Sequence, residues 1–287
     1  MPALIRLLRP HHWLKNGFVF VGLLFGHAWH DAPKVEQALA AFAAFCLLAS
    51  AVYVMNDLLD REQDKRHPHK RHRPLAAGAV SVPAAITLAL LCLLGGGLLA
   101  VLYAGGAPWI FLTYVAMNIA YSLGLKHVVI LDVFIIAGGF MLRILAGTLG
   151  LGIAPSHWLL LCGLMLTLFL GFAKRLAELN ALQKDSGGHR RVLEHYTEPM
   201  LDQFISITAA GTVISYALYT VSAETLAVHG TRGLILTVPL VLYGMLRYLW
   251  RLHRQGGGGD AAQELLTDPH LLAAVLGWLA LVLVLLW

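Results

Sequence analysis

Long apolar stretches recur along the whole chain, separated by short polar segments. A helix that crosses a bilayer needs about 20 mainly apolar residues. The candidate stretches lie at residues 16–31, 36–58, 82–104, 107–125, 128–149, 156–178, 202–225, 231–252 and 269–287. The first is the weakest, because Lys15, Asn16, His27 and His30 flank or interrupt it. The pattern predicts an all-α integral membrane protein with nine transmembrane helices, forming a single domain over 1–287.

The composition supports the membrane assignment. Hydrophobic residues make up 58% of the chain and charged residues only 13%, whereas a soluble domain carries about 25% charged residues. Soluble globular and disordered proteins are therefore excluded. The three cysteines (Cys46, Cys92 and Cys162) lie inside apolar runs, so we expect small buried hydrophobes and no disulfide framework. We expect no cleavable signal peptide, because no small-residue cleavage site follows a short apolar core.

The basic residues predict the orientation. Eighteen of the 21 lysines and arginines fall at one set of span ends, leaving Lys34 and Arg232 on the other side and Arg143 within a span. By the positive-inside rule, the N-terminus is cytoplasmic and the C-terminus lies on the opposite side of the cytoplasmic (inner) membrane. The net charge of +5 follows from this basic face, so no nucleic-acid partner is expected.

The loop after the second predicted span begins with NDLLDREQD, which carries more acid than membrane topology requires. On a helix, Asn56, Asp57, Asp60 and Asp64 fall within one arc of about 100°. Carboxylates on one face repel each other unless a cation lies between them, and Mg²⁺ binds carboxylates together with water and phosphate oxygens. The segment predicts a magnesium site. The alternative is a solvated helix end whose acids pair with the basic residues beside them.

Five lysines and arginines and three histidines follow in KRHPHKRHR. Cations next to acids at a membrane surface suit a magnesium–diphosphate complex, because the bases bind phosphate oxygens. Lys70 and Arg73 are the candidates here. The histidines lack the spacing and the cysteine partner of a tetrahedral zinc site, so zinc is not expected.

A basic counterpart ends the sixth predicted span, in FLGFAKRLAEL. Lys174, Arg175 and Glu178 occupy a helical arc similar to that of the acidic segment, with cations at two of the positions. They are candidates for substrate binding. The alternative is an ordinary membrane anchor with an internal Lys174–Glu178 pair.

The fifth predicted span carries two charges. Asp132 lies near its cytoplasmic end and Arg143 eleven residues later, about 16 Å along the axis and on the same face. A charge within a membrane is costly and usually faces a cavity, so we expect Arg143 to line a polar cavity open to the cytoplasm. The alternative is a structural pair between Arg143 and an acid of another span. Tyr121 and Lys126, just before this span, are candidates for binding a phosphate.

Weaker candidates complete the predicted site. Lys15 and Asn16 start the first span and either reach the substrate or anchor the helix. Arg191 and Tyr196 belong to RRVLEHY, a predicted cytoplasmic loop after Gly187 and Gly188.

These motifs resemble those of the UbiA superfamily of membrane prenyltransferases. Its members are similar in having nine helices, an NDxxDxxxD motif after span 2 and a YxxxK element after span 4. The first motif corresponds here to Asn56–Asp64, and the second to the segment from Tyr121 to Lys126, which has one more intervening residue. Ordinary members carry a second acidic motif after span 6, where this chain has KRLAE. The resemblance implies a UbiA-like helical bundle with a cytoplasm-facing cavity.

Two further elements, RHPxKxxRPxAxG (Arg66 to Gly78) and the Asp132–Arg143 spacing, look like one branch, the decaprenyl-phosphate phosphoribosyltransferases. That likeness implies a Mg²⁺-dependent enzyme that transfers 5-phosphoribose from 5-phosphoribosyl 1-diphosphate (PRPP) to a polyprenyl phosphate such as decaprenyl phosphate, for a cell-wall arabinan precursor. It implies Asp57, Asp60, Asp64 and Lys126 as the catalytic residues. This substrate pair has three anionic groups: a diphosphate, a 5-phosphate and the acceptor phosphate. The basic residues of KRLAE would supply positive charge for a phosphate that no metal binds.

Two alternatives stay open. One is a UbiA-type enzyme that moves a polyprenyl group from its diphosphate to an aromatic acceptor. The other is a transporter for anionic solutes, which the nearly uncharged opposite face disfavours. Membrane lipids are expected to surround the protein, and the oligomeric state is left open.

Overall fold

The computed structural model describes residues 2–67, 70–184, 191–255 and 261–286. These residues form helices and connecting segments without any strand, so the all-α prediction is confirmed. The α-helices in chain order are α1 (Ala3–Leu8), α2 (Val21–Phe25), α3 (Ala32–Leu59), α4 (Arg61–Arg66), α5 (Val82–Leu102), α6 (Trp109–Leu123), α7 (Leu131–Ala146), α8 (His157–Lys184), α9 (Glu198–Val221), α10 (Ala223–His229), α11 (Val238–Gln255), α12 (Ala261–Thr267) and α13 (Pro269–Leu286).

Polar residues set the starts of the long apolar helices. The Asp31 side chain accepts a hydrogen bond from the Lys34 backbone N–H at the start of α3. Ser81 accepts one from the Ala84 N–H at the start of α5. Each helix has a proline in its first turn, where a missing N–H costs nothing. A capping side chain followed by proline therefore begins both helices at sites readable in the sequence.

Seven helical stretches are long and apolar enough to cross a membrane, which makes this a multi-pass membrane protein. They are Ala32–Leu59, Val82–Leu102, Leu131–Leu151, His157–Ala181, Glu198–Val221, Gly233–Arg254 and Pro269–Leu286. Each corresponds to one of the nine predicted spans.

The other two predicted spans differ from a long helix. The 107–125 stretch forms α6, an apolar helix of 15 residues, about 22 Å long at 1.5 Å per residue. The 16–31 stretch is divided between a 3₁₀ segment (Pro10–Phe20) and the short α2. Gly17, Gly22 and Gly26 interrupt this stretch, and glycine lowers helix propensity.

The described chain divides into two compact units. The first comprises residues 1–126 and 139–155, and the second comprises residues 127–138 and 156–287. The boundary falls within α7, between Gly138 and Gly139. The prediction of a single domain over 1–287 stays a prediction.

The first unit contains backbone crossings that only glycine allows. A Cβ atom built on Gly147 would lie 1.7 Å from the Val19 carbonyl oxygen, and one on Gly22 would lie 1.6 Å from the Gly147 carbonyl oxygen. Gly105, at a φ of +92°, meets the Gly150 carbonyl oxygen in the same way. The 3₁₀ segment and the end of α7 therefore pack backbone against backbone, as small residues permit in membrane proteins.

We expect Gly147→Ala to lower the free energy of unfolding by about 1–3 kcal/mol, because the added methyl group forces this crossing apart. The measurement is thermal unfolding of the detergent-purified protein, followed by tryptophan fluorescence. Gly97→Ala is the matched control, since a Cβ on Gly97 in α5 meets nothing within 4 Å. Equal melting temperatures for the two variants would contradict the crossing.

The second unit is built around α8 and α9, whose apolar faces bury Phe169, Phe172 and Ile205. Asp268 begins α13, where its carboxylate accepts from the Leu271 N–H at 2.8 Å. It also pairs with Arg247 at 2.8 Å and with Arg251 at 2.9 Å. These guanidinium groups, Arg247 first, hold the pKa of Asp268 well below its usual range. This cluster ties the end of α11 to the start of α13.

Candidate active site

The predicted acidic segment lies where α3 ends and α4 begins, in the first unit. Asp60 separates the two helices, but the hydrogen bonds from Asp60 N–H to the Asn56 carbonyl and from Asp64 N–H to the Asp60 carbonyl keep a helical spacing. Asp57 and Asp64 are buried, with 2% and 3% of their surface exposed, whereas Asp60 is half-buried. The two buried carboxylates contact the same guanidinium nitrogen, so they share one side of the segment, as predicted.

Each aspartate of this segment has a cationic partner outside it, whereas Glu62 pairs with the adjacent Arg61 and Lys65. Arg73 Nη1 lies 3.2 Å from Asp57 Oδ1 and 2.7 Å from Asp64 Oδ2. Arg9 Nη2 lies 2.5 Å from Asp57 Oδ1, and Lys126 Nζ lies 3.3 Å from Asp60 Oδ1. These ion pairs of the three aspartates differ from the alternative, in which they pair with the bases beside them.

The donor set of this segment suits a divalent metal. Carboxylate and amide oxygens are hard ligands of the kind that Mg²⁺ takes, and Asn56, Asp57, Asp60 and Asp64 supply only such atoms. Asp57 and Asp64 already hold one cation, Arg73, between them. No group of three or more histidine, cysteine or acidic side chains within the described ranges has a ready-made metal geometry. A metal at this segment would share the carboxylates with these cations or displace them.

A hydroxyl that the sequence analysis missed lies beside this segment. Ser122 Oγ is 2.5 Å from Asn56 Oδ1, at the end of α6. Its only sequence signal is the four-residue spacing to Lys126. Tyr121 is half-buried on the same helix end. The predicted Tyr121–Lys126 element is thus placed at the acidic segment through Ser122 and Lys126.

Arg143 is buried among aromatic rings instead of lining an open cavity. Its guanidinium donates to Asn16 Oδ1 at 2.7 Å, to the Gly139 carbonyl at 2.7 Å and to the Tyr114 hydroxyl at 3.2 Å. It lies 4.8 Å from the Tyr114 ring centre and 5.1 Å from that of Phe45. Across the part of the chain that is described, no carboxylate forms an ion pair with it. Neither the predicted cavity nor the alternative acid partner is seen; cation–π contacts and hydrogen bonds take their place.

Asn16 and Lys15 differ in their surroundings. Asn16 is 1% exposed and also donates to Cys46 Sγ at 3.2 Å, so it connects the 3₁₀ segment to α3 and α7. Lys15 is half-buried on the same segment.

Asp132, which shares α7 with Arg143, pairs with Arg175 in the second unit. Arg175 Nε lies 2.8 Å from Asp132 Oδ2, and both side chains are at most 1% exposed. The Tyr196 hydroxyl donates to Asp132 Oδ1 at 2.9 Å and accepts from the Ile130 N–H at 2.6 Å. Burial, together with the Asp132 charge, raises the pKa of Tyr196 well above its usual range, so the phenol stays protonated and donates.

The KRLAE segment thus divides into a buried and an exposed cation. Arg175 also forms an ion pair with Glu178. Lys174 is exposed on the same helix.

The remaining predicted site residues lie elsewhere. Lys70 is exposed in a 3₁₀ turn before Arg73. The side chain of Arg191 lies outside the described residues. Arg9, Ser122 and Tyr114 are the site residues that sequence reasoning missed.

The sequence is similar to those of known proteins. Residues 17–267 match the UbiA prenyltransferase family. The chain is 32% identical to the decaprenyl-phosphate phosphoribosyltransferase of Mycolicibacterium smegmatis, over 96% of this chain and 90% of that protein. It is 34% identical to the protein of the same name from Corynebacterium glutamicum, over 96% of this chain and 84% of that protein.

A solved structure shares the fold. A UbiA homologue from Archaeoglobus fulgidus, bound to GPP and Mg²⁺, superposes with a TM-score of 0.73 at 19% identity, over 99% of both chains. The acidic segment, the fold and the match over most of the sequence lead to one conclusion: the chain belongs to the UbiA prenyltransferase family.

Proposed function

We propose that this protein transfers 5-phosphoribose from PRPP to a polyprenyl phosphate, giving polyprenyl-phosphoryl 5-phosphoribose and diphosphate. The observation that carries the proposal is the pairing of Asp57, Asp60 and Asp64 with Arg9, Arg73 and Lys126. A site that alternates acids and cations accommodates a metal-bound diphosphate and further phosphates together. The two relatives named decaprenyl-phosphate phosphoribosyltransferase support the same substrates.

The acidic segment is the proposed metal and diphosphate site. Asn56, Asp57, Asp60 and Asp64 would hold Mg²⁺, which when bound neutralises negative charge on the diphosphate. Arg73 and Arg9, displaced from the carboxylates, are then available to phosphate oxygens. The Mg²⁺ of the Archaeoglobus fulgidus homologue supports a divalent ion in this fold.

The proposed reaction is a displacement at ribose C1. A phosphate oxygen of the lipid forms a bond to C1 while the bond from C1 to the diphosphate oxygen breaks, and the electron pair leaves with the diphosphate. Lys126, beside Asp60, stabilises the charge that develops on the leaving group. The attacking phosphate is already anionic, so no strong general base is required.

The residues of the second unit take different roles from those that the sequence suggested. Arg175 is held by Asp132 and Glu178, and we propose that it positions α7, α8 and Tyr196 without contacting a phosphate. Lys174, exposed on α8, is the remaining candidate of that motif for a substrate phosphate. Arg143 and Asn16 are proposed to fix the 3₁₀ segment that carries Lys15. Lys70 and Tyr121 stay proposed substrate contacts.

We further propose a nine-span arrangement in the cytoplasmic membrane, with α6 and the segment from Pro10 to Phe25 as the two short spans. The charge distribution supports a cytoplasmic N-terminus, a C-terminus on the opposite side and an active site facing the cytoplasm.

The test is a reconstituted reaction. Purified protein in detergent, given PRPP, Mg²⁺ and decaprenyl phosphate, is expected to release diphosphate and form a phosphoribosylated lipid, and EDTA is expected to abolish both. Turnover with a polyprenyl diphosphate and an aromatic acceptor, but none with PRPP, would instead establish the prenyltransferase alternative. Flux of labelled PRPP into liposomes without chemistry would establish a transporter.

A further inference from the structure

A cavity of about 290 Å³ lies in the first unit, next to Asp57. Its lining includes six basic residues, which are Arg6, Arg9, His11, His12, His72 and Arg73. Asp57 is the one acid among the lining residues, and Arg9 and Arg73 already neutralise it. The cavity therefore carries an excess of positive charge that no lining carboxylate balances.

Arg6 supplies much of that excess. Its guanidinium makes one long hydrogen bond, 3.4 Å from Nη2 to the His72 carbonyl oxygen, and pairs with no acid among the described residues. A guanidinium offers five N–H donors in a planar fork that matches phosphate oxygens. Most of the donors of Arg6 are therefore available at the cavity wall.

The histidines are held in place by ring contacts. The centres of the His11 and His12 rings lie 4.2 Å apart, and the His12 ring lies 5.2 Å from the Tyr53 ring. The Arg9 guanidinium lies over the same Tyr53 ring, 5.1 Å from its centre. Arg9 adopts a φ of +53° directly before Pro10. This turn between α1 and the 3₁₀ segment brings Arg9 onto Asp57 and the histidines to the cavity. Membrane topology requires basic residues on one side of the bilayer, but it does not require two chain segments 60 residues apart to converge on one cavity.

We infer that this cavity binds a phosphate monoester, as a substrate subsite that adjoins the proposed metal site at Asp57. A monoester phosphate is close to a dianion at neutral pH, which suits paired arginines and histidines. The volume is at the lower end of ligand pockets, enough for a phosphate and the group attached to it. The inference rests on the proposed function, which offers two such phosphates: the 5-phosphate of PRPP and the phosphate of the lipid acceptor.

The first experiment measures binding without catalysis. Ribose 5-phosphate and decaprenyl phosphate are titrated separately into the detergent-purified protein in EDTA, and binding is followed as a rise in melting temperature. We expect Arg6→Gln to weaken binding of one of the two probes at least 5-fold. Arg66→Gln is the matched control, because Arg66 is an exposed arginine at the end of α4 that does not line the cavity.

The outcome also assigns the source of the phosphate. Loss of ribose 5-phosphate binding assigns the cavity to the sugar donor, and loss of decaprenyl phosphate binding assigns it to the lipid. Unchanged binding of both probes, or an equal loss in Arg66→Gln, would overturn the inference. Because no turnover is needed, a failure of the transfer reaction would leave this result readable.

Kinetics give a second readout in active protein. Arg6→Gln is expected to raise the KM for the assigned substrate at least 5-fold. If the cavity holds the 5-phosphate of PRPP, kcat is expected to change less than about 3-fold, since that phosphate forms and breaks no bond in the reaction. A fall in kcat with both KM values unchanged would overturn the subsite assignment.

Discussion

Asp60→Asn is expected to lower the rate of phosphoribosyl transfer about 100- to 1000-fold, the usual loss when a group that stabilises developing charge is removed. The change keeps the size of the side chain but removes the charge that pairs with Lys126 and that we propose binds metal. Asp60 is the informative member of the acidic segment, because it is half-buried and its replacement leaves no buried cation without a partner. Asp57 and Asp64 are buried against Arg73, so their replacement mixes folding with activity.

The matched control is Glu62→Gln, two residues later in α4. Its side chain is 73% exposed and pairs only at the surface with Lys65 and Arg61. We expect activity within about 2-fold of the unchanged protein, because exposed pairs of this kind contribute about 0–1 kcal/mol. Rates are measured as diphosphate release, and melting temperatures are recorded for both variants. Equal rates for Asp60→Asn and Glu62→Gln would remove Asp60 from the catalytic site.

Asp132→Asn is expected to destabilise the protein by about 3–5 kcal/mol, since it leaves the Arg175 guanidinium buried without its principal counter-charge. Arg175 is 1% exposed, and its remaining acid, Glu178, is partly exposed. The same change weakens the bond that Tyr196 donates. The measurement is unfolding by SDS titration in mixed micelles, followed by tryptophan fluorescence.

A second substitution tests whether the unpaired charge of Arg175 causes the loss of stability. Adding Arg175→Met to Asp132→Asn is expected to restore most of the lost stability, because no unpaired charge then stays buried. The surface pair Asp31–Lys34 supplies the control, with both side chains about one-third exposed. Lys34→Met, which removes that pair, should cost no more than about 1 kcal/mol. If Asp132→Asn is as mild as this control, Arg175 has another partner and its positioning role is wrong.

The Arg175 result shows why a motif predicts a role less well than it predicts a family. The KRLAE pattern was one reason to separate this chain from ordinary members of the family, and the names of the two relatives support the predicted branch. Its two cations were interpreted together as phosphate ligands. They differ by about 100° around α8, and the packing of that helix buries Arg175 and exposes Lys174.

The sequence alone determined the class of the protein, most of its long helices, its family and the acidic segment. Those features follow from local properties: apolar runs of bilayer length, capping residues with prolines, and acids repeated at helical spacing. Tertiary structure decided which charges meet. Asp57 pairs with Arg9 and Arg73, 48 and 16 residues away, and Arg143 bonds to Asn16 across 127 residues. In a buried environment a charge takes whichever partner the packed helices bring within hydrogen-bond distance, because leaving it without one costs several kcal/mol (about 3–5 for a broken pair). That choice depends on the orientation of helices about their axes, which no local spacing encodes.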